Sequence, residues 1–113
     1  MSTGTESVIV SQETRIVSSI RAARAALGWA QPELARRAGV SLVSLARLES
    51  GMTSPRLSTV AKIKTAIDAA GVRIADDHPP GGFTLTMSPE GMIHAQGTLE
   101  RGVVGEDAPV PEE

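Results

Sequence analysis

Cysteine does not occur in these 113 residues, which excludes disulfide bridges and thiolate metal sites. Tyrosine is missing as well, and tryptophan and phenylalanine appear once each, so a core must be built from Leu, Ile, Val and Ala. A hydrophobic content of 41% is enough to fill one such core, and the length suits one domain with a small appendage. No apolar run approaches the roughly 18 residues needed to span a bilayer. The N-terminus has no charged start before a long apolar block, so a cytoplasmic protein without a membrane partner is expected. Catalytic signatures are scarce too. There is no G-x-x-x-x-G-K and no G-x-S-x-G, and the serines have no evident His–Asp partners. The two histidines, His78 and His94, lack metal-ligand spacing, and the adjacent Asp76 and Asp77 read as turn formers. No enzyme, metal or cofactor is expected.

What is present is an uneven distribution of charge. The net charge of −2 is unpromising for a nucleic-acid partner. Yet Arg15 to Arg73 holds ten basic and three acidic residues, +7, while the flanks together carry −9. A basic block between acidic flanks is the footprint of a nucleic-acid module with a solvating or partner-binding tail; ordinary surface variation is the plainer reading.

Hydrophobic spacing divides the block into helices. Ile16, Ile20, Ala23 and Leu27 lie four, three and four residues apart, with a cap near Ser11 to Thr14 and Gly28 as terminator. A short helix over about 31–38 has Pro32 in its first turn and Leu34, Ala35 and Ala38 inward. Trp29, just before it, reads as a plug between helices. After Gly39, Ser41 caps a helix over 42–49 that ends at Gly51, with Leu45 and Leu48 inward. Pro55 interrupts the chain, and Ser58 is expected to cap a helix over 59–70 that buries Val60, Ile63, Ile67 and Ala70. Beyond Gly71 the pattern turns β-like. Segments 72–75, 83–87 and 92–96 predict a three-strand antiparallel sheet, with "SPEG" as a hairpin turn. A sheet this small must pack on the helices or on a second subunit. The expected organisation is an N-terminal arm over 1–10, with a weak strand signal at Val8–Val10; a helical domain over 11–71; a β extension over 72–97; and an acidic, disordered tail over 98–113.

Residues 31–50 satisfy the steric requirements of a helix-turn-helix. Two short helices crossing steeply need an aliphatic and a small residue at their contact, Leu34 and Ala35. The turn needs tolerance of positive φ, Gly39, followed by an apolar residue, Val40. The second helix must bury two more, Leu45 and Leu48. No one of these six is informative alone; the set is.

On those residues the string "IRAARAALGWAQPELARRAGVSLVSLARLESGMTSPRLSTVAKIKTAIDAAGV" resembles the Xre-type, phage lambda repressor-like helix-turn-helix family, over about residues 16–74. The resemblance implies a mainly α bundle, here with a small C-terminal antiparallel β extension, for which "VRIADDHPPGGFTL" is a looser match. It implies that Gln31 and Arg56 contact DNA phosphates, and that Ser41, Leu42, Val43, Ala46 and Arg47 form the outward, base-reading face. It also implies a structural ion pair between Arg24 and Glu49. Two departures stand out. Ala30 occupies a position usually held by Ser or Thr, so the first motif helix lacks a cap worth about 1 kcal/mol. Leu42 and Val43 replace the polar readers often found there.

Two readings of Leu42 and Val43 remain at this point. Facing DNA, they would contact thymine C5-methyl groups in the major groove; turned inward, they would serve a core or subunit contact. Arg47 likewise is either a partner for guanine O6 and N7 or a phosphate-binding or solvated cation. Phosphate contacts are expected from Gln31, Arg36, Arg37, Ser44, Arg56 and Lys62, with Arg36 and Arg37 equally readable as solvated charges. The expected function is that of a sequence-specific, double-stranded DNA-binding transcriptional regulator, a repressor acting as a homodimer through its C-terminal strands. The alternative is an antitoxin or adaptor whose β extension or acidic tail binds a protein partner such as a toxin.

Overall fold

The computed structural model describes residues 10–52 and 54–101. Five helices and two strands follow in the order α1 (Gln12–Leu27), α2 (Gln31–Ala38), α3 (Leu42–Ser50), α4 (Leu57–Ala69), β1 (Val72–Asp76), β2 (Phe83–Met87) and α5 (Pro89–Arg101). Local chemistry sets most of the boundaries. Ser11 caps α1, its hydroxyl accepting the Thr14 N–H at 3.1 Å, and Gly28 ends the helix in the left-handed region. Helix α2 begins at Ala30 with no side-chain cap, as the sequence implies, and Pro32 stands in its first turn.

The apolar faces of α1–α4 meet in one aliphatic core. Ile20, Leu27, Leu34, Leu45, Ile63 and Ile67 are fully buried there, joined by Val72 from the start of β1. The lone tryptophan sits at the α1–α2 junction. Trp29 is buried, with the Arg37 guanidinium 4.5 Å over its ring and His94 edge-on at 5.5 Å. It plugs the helices as expected and also receives α5.

Strands β1 and β2 pair antiparallel, with Val72 opposite Met87 and Ile74 opposite Leu85. Ile74, Leu85 and Met87 pack from this ribbon onto the core. Arg15 of α1 grips the end of β1, donating to both Asp76 carboxylate oxygens at 3.1 and 3.2 Å. The Arg15 hydrogen bonds hold the Asp76 carboxyl below its ordinary range against a smaller opposing effect of burial.

Three expectations are corrected. The third strand over 92–96 is helix: "SPEG" is a helix start, not a hairpin turn. The Ser88 hydroxyl accepts the Gly91 N–H at 3.3 Å, Pro89 opens the helix where a missing N–H is harmless, and Glu90 lies in the first turn. The hairpin is β1–β2, closed through residues 77–82 by the Asp77 N–H to Gly82 carbonyl bond at 2.8 Å. Helix α4 starts at Leu57 with Arg56 as its uncapped N-cap residue, two residues ahead of the expected Ser58 cap. Residues 98–101, assigned to a disordered tail, form the last turn of α5. The expectations for 1–9 and for the acidic tail beyond Arg101 lie outside the described residues.

Helix α5 can lie close because glycines permit it. A Cβ on Gly71, whose φ is 104°, would stand 2.5 Å from the Gly91 nitrogen. Further along, the Thr98 hydroxyl donates to the Gly28 carbonyl at 3.2 Å, tying α5 to the end of α1.

Candidate nucleic-acid interface

The turn between α2 and α3 is set by Gly39, at φ 71°, a conformation costly for residues with a Cβ. Its N–H caps α2, and Val40 then enters the core margin. Ser41 starts α3 in extended conformation, its hydroxyl accepting the Ser44 N–H at 3.0 Å. Leu45 and Leu48, at 0% and 3% exposure, pin one side of α3 to the core. The helical period then turns residues 42, 43 and 47 away. Leu42 and Val43 are 45% and 61% exposed, Arg47 is exposed and Ala46 is half-buried. Among the described residues neither aliphatic side chain belongs to the core, so the inward reading of Leu42 and Val43 does not hold within the subunit.

The far end of α3 is secured by a buried ionic network. Glu49 accepts from Arg24 Nε and Nη2 at 2.9 and 2.8 Å, and from Gln31 Nε2 at 2.9 Å. Arg24 also donates to the Trp29 carbonyl at 3.0 Å. One buried carboxylate thus joins the end of α1, the first residue of α2 and the last turn of α3, which fixes the tilt of the exposed face. Charge-assisted bonds satisfy Glu49 on both oxygens, so burial does not leave it uncompensated.

The remaining residues predicted from sequence fall into three groups. Ser44, Arg47 and Arg56 come together, lining with Ser54, Pro55 and Thr59 a depression of about 250 Å³ beside α3. Lys62 is exposed on α4, one turn past Thr59, without an ion pair among the described residues. Gln31, Arg36 and Arg37 are instead engaged internally. The Gln31 amide is turned to Glu49; Arg36 and Arg37 donate to Glu33 at 2.6 and 2.5 Å. Burial alone would raise the Glu33 carboxyl, but its bonds from Arg37 and Arg36 prevail and lower it. Ser41 and Ser44 hydroxyls bond each other at 2.9 Å.

Sequence reading missed Arg21. It is an exposed cation on α1, lining a cleft of about 420 Å³ with Ser50, Gly51 and Met52 at the end of α3. Its position opposite the α1 apolar stripe was readable, but its approach to α3 depends on helix packing. Met52 and Leu57, bracketing the α3–α4 loop, are almost wholly exposed, and nothing in their spacing announced it. Among the described residues no group of three or more His, Cys, Asp or Glu gathers, and no helix is long and apolar enough to cross a membrane.

Residues 20–68 match the family model described as helix-turn-helix. No curated protein and no solved structure matches the chain. The matched span runs from the middle of α1 to the end of α4 and contains the turn, the Arg24–Glu49 pair and the exposed face of α3. A domain of this kind suggests a DNA-binding transcription regulator. Over residues 20–68, a little under half of the chain, the sequence is similar to the Xre-type, lambda repressor-like helix-turn-helix family.

Proposed function

We propose that this protein is a sequence-specific, double-stranded DNA-binding transcriptional repressor that acts as a homodimer and inserts α3 into the major groove. One observation carries the reading: Leu42, Val43 and Arg47 face outward from a helix whose Leu45 and Leu48 are locked in the core, with Arg56 beside them. An α-helix fits the major groove, where each thymine presents a C5-methyl group to Leu42 or Val43 and each guanine presents O6 and N7 to Arg47. Arg56 and Lys62 supply phosphate contacts, which position the helix without reading sequence. Arg36 and Arg37 reach a phosphate only by sharing their charge with Glu33, which lowers their expected contribution. Two copies, with recognition helices about 34 Å apart, give an operator of two related half-sites.

Selection of bound duplexes from a random DNA pool tests the reading. A two-fold site containing T contacts and at least one G is expected. Arg47→Ala should relax preference at one base position by about 1–3 kcal/mol, whereas Arg56→Ala should weaken all sequences alike and flatten the salt dependence. Failure to enrich any sequence, with binding insensitive to salt, would remove DNA as the partner.

A further inference from the structure

A groove of about 700 Å³ opens between the start of α2 and the last turns of α5. Among the described residues its lining includes none from α3, so it is separate from the face proposed for DNA. Small-molecule sites occupy roughly 300–1,000 Å³, and the groove falls within that range. It stays open because α5 turns small residues toward the domain here. Thr98 lies against Gly28, and Gly97 lines the groove with no side chain to fill it.

The walls combine apolar surface with positive charge. Trp29, Ile93 and His94 supply aromatic and aliphatic contact, and Arg37 and Arg101 supply two guanidinium groups. Arg37 is held at the wall, 4.5 Å over the Trp29 ring, and shares Glu33 with Arg36. Arg101 has no ion pair among the described residues. Its side chain folds back along α5, with Nη1 3.2 Å from where a Cβ on Gly97 would stand. The Thr98 hydroxyl is committed to the Gly28 carbonyl, so the cations are what an occupant would meet. Two arginines against Glu33 leave the lining with a formal charge of +1.

We propose that this groove binds a small aromatic carboxylate. The carboxylate accepts paired hydrogen bonds from the Arg101 guanidinium, with Arg37 alongside. The ring lies against Ile93 and the Trp29–His94 pair. A single positive charge suits a monoanion; a phosphate dianion would exceed it and would face Glu33. The occupant ties α5 to α2, the helix that leads into the Gly39 turn.

Trp29 is the only tryptophan in the chain, so its fluorescence reports on this groove. Titration of the full chain with phenylacetate is the direct experiment. A saturable change with a Kd of about 1 mM or tighter is expected. Acetate, which lacks the ring, and phenylacetamide, which lacks the charge, should each bind about tenfold more weakly or worse. Arg101→Ala should weaken phenylacetate about tenfold with the circular dichroism unchanged, and Arg101→Lys should recover part of the loss. Arg73→Ala, which removes an exposed arginine on β1, should change nothing. No response to phenylacetate up to about 10 mM overturns the proposal. So does an equal response to acetate or phenylacetamide, or binding indifferent to Arg101→Ala. None of these readouts uses DNA, so this site and the DNA reading stand or fall separately.

Discussion

Helices α3 and α5 are short, similar in polarity and each bounded by a serine start, yet they divide their residues in opposite ways. Helix α3 sends Leu45 and Leu48 into the core and leaves outside a face that ends in Arg47. Helix α5 sends glycine, histidine and threonine inward and leaves methionine, isoleucine and leucine outside. The first is therefore integral to the domain, its exterior shaped by what its interior must bury. The second is docked on a domain already complete, through close backbone approach and few bulky contacts. Stability is thus concentrated in α1–α4, while α5 adds few bulky contacts to it.

The comparison is most exposed to a pair of truncations. Leu45→Ala should cost about 2–5 kcal/mol, because a fully buried leucine leaves a cavity behind. Leu99→Ala should change stability by no more than about 0.5 kcal/mol. Denaturant unfolding measures both, and similar losses would erase the distinction. Arg24→Ala should follow at about 3 kcal/mol, since Glu49 would remain buried and lose its guanidinium partner. The same variant should lower DNA affinity, because α3 loses its anchor.

Gly71→Ala sharpens the contrast from the other side. Positive φ and the 2.5 Å approach to Gly91 make a methyl group intolerable without movement, at a cost of about 1–3 kcal/mol. Hydrogen exchange should then speed up in α5 while the protected amides of α1 and α4 keep their order of protection. A smaller effect, of opposite sign, is expected at the uncapped start of α2: Ala30→Ser should raise stability by about 1 kcal/mol. The smallest effect is a pH dependence. The Asp76 carboxyl is held low in the fold by Arg15, so the contribution of this pair is present above the unfolded carboxylate pKa. It is lost as pH falls through the lower folded value. Asp76→Asn should flatten the acid limb of a stability–pH curve, and an unchanged curve would count against the Arg15 tie between α1 and the ribbon.

The helices and turns of α1–α4 were legible in the sequence except at the start of α4, where the expected Ser58 cap is not used. Ser11 and Ser41 announce their caps because each hydroxyl bonds an N–H three residues ahead. Gly28, Gly39 and Gly51 announce their turns because positive φ is local. The C-terminal region was legible only in part. "VRIAD" and "FTLTM" were read as strands and are strands. "MIHAQ" resembles a third strand only in the loose alternation of its apolar residues over five positions; the Ser-Pro-Glu helix start just before it is the stronger signal, and it prevails. Within the interface, exposure of Leu42, Val43 and Arg47 followed from periodicity once Leu45 and Leu48 were assigned inward. The capture of Gln31 by Glu49, and of Arg36 and Arg37 by Glu33, did not, because side-chain partners eighteen residues apart, or shared by two cations, depend on how helices cross and how charges compete.

The amino-acid sequence by itself determined an aliphatic four-helix core, the positions of its turns and the face of α3 that points away, since each of these follows from short-range sterics and the helical period. The tertiary structure alone decided which polar groups stay free for a partner and what α5 does with its bulky side chains. Those outcomes turn on distances between segments far apart in the chain: Gly71 must meet Gly91, and Arg24 must meet Glu49, before either face has a definite neighbour.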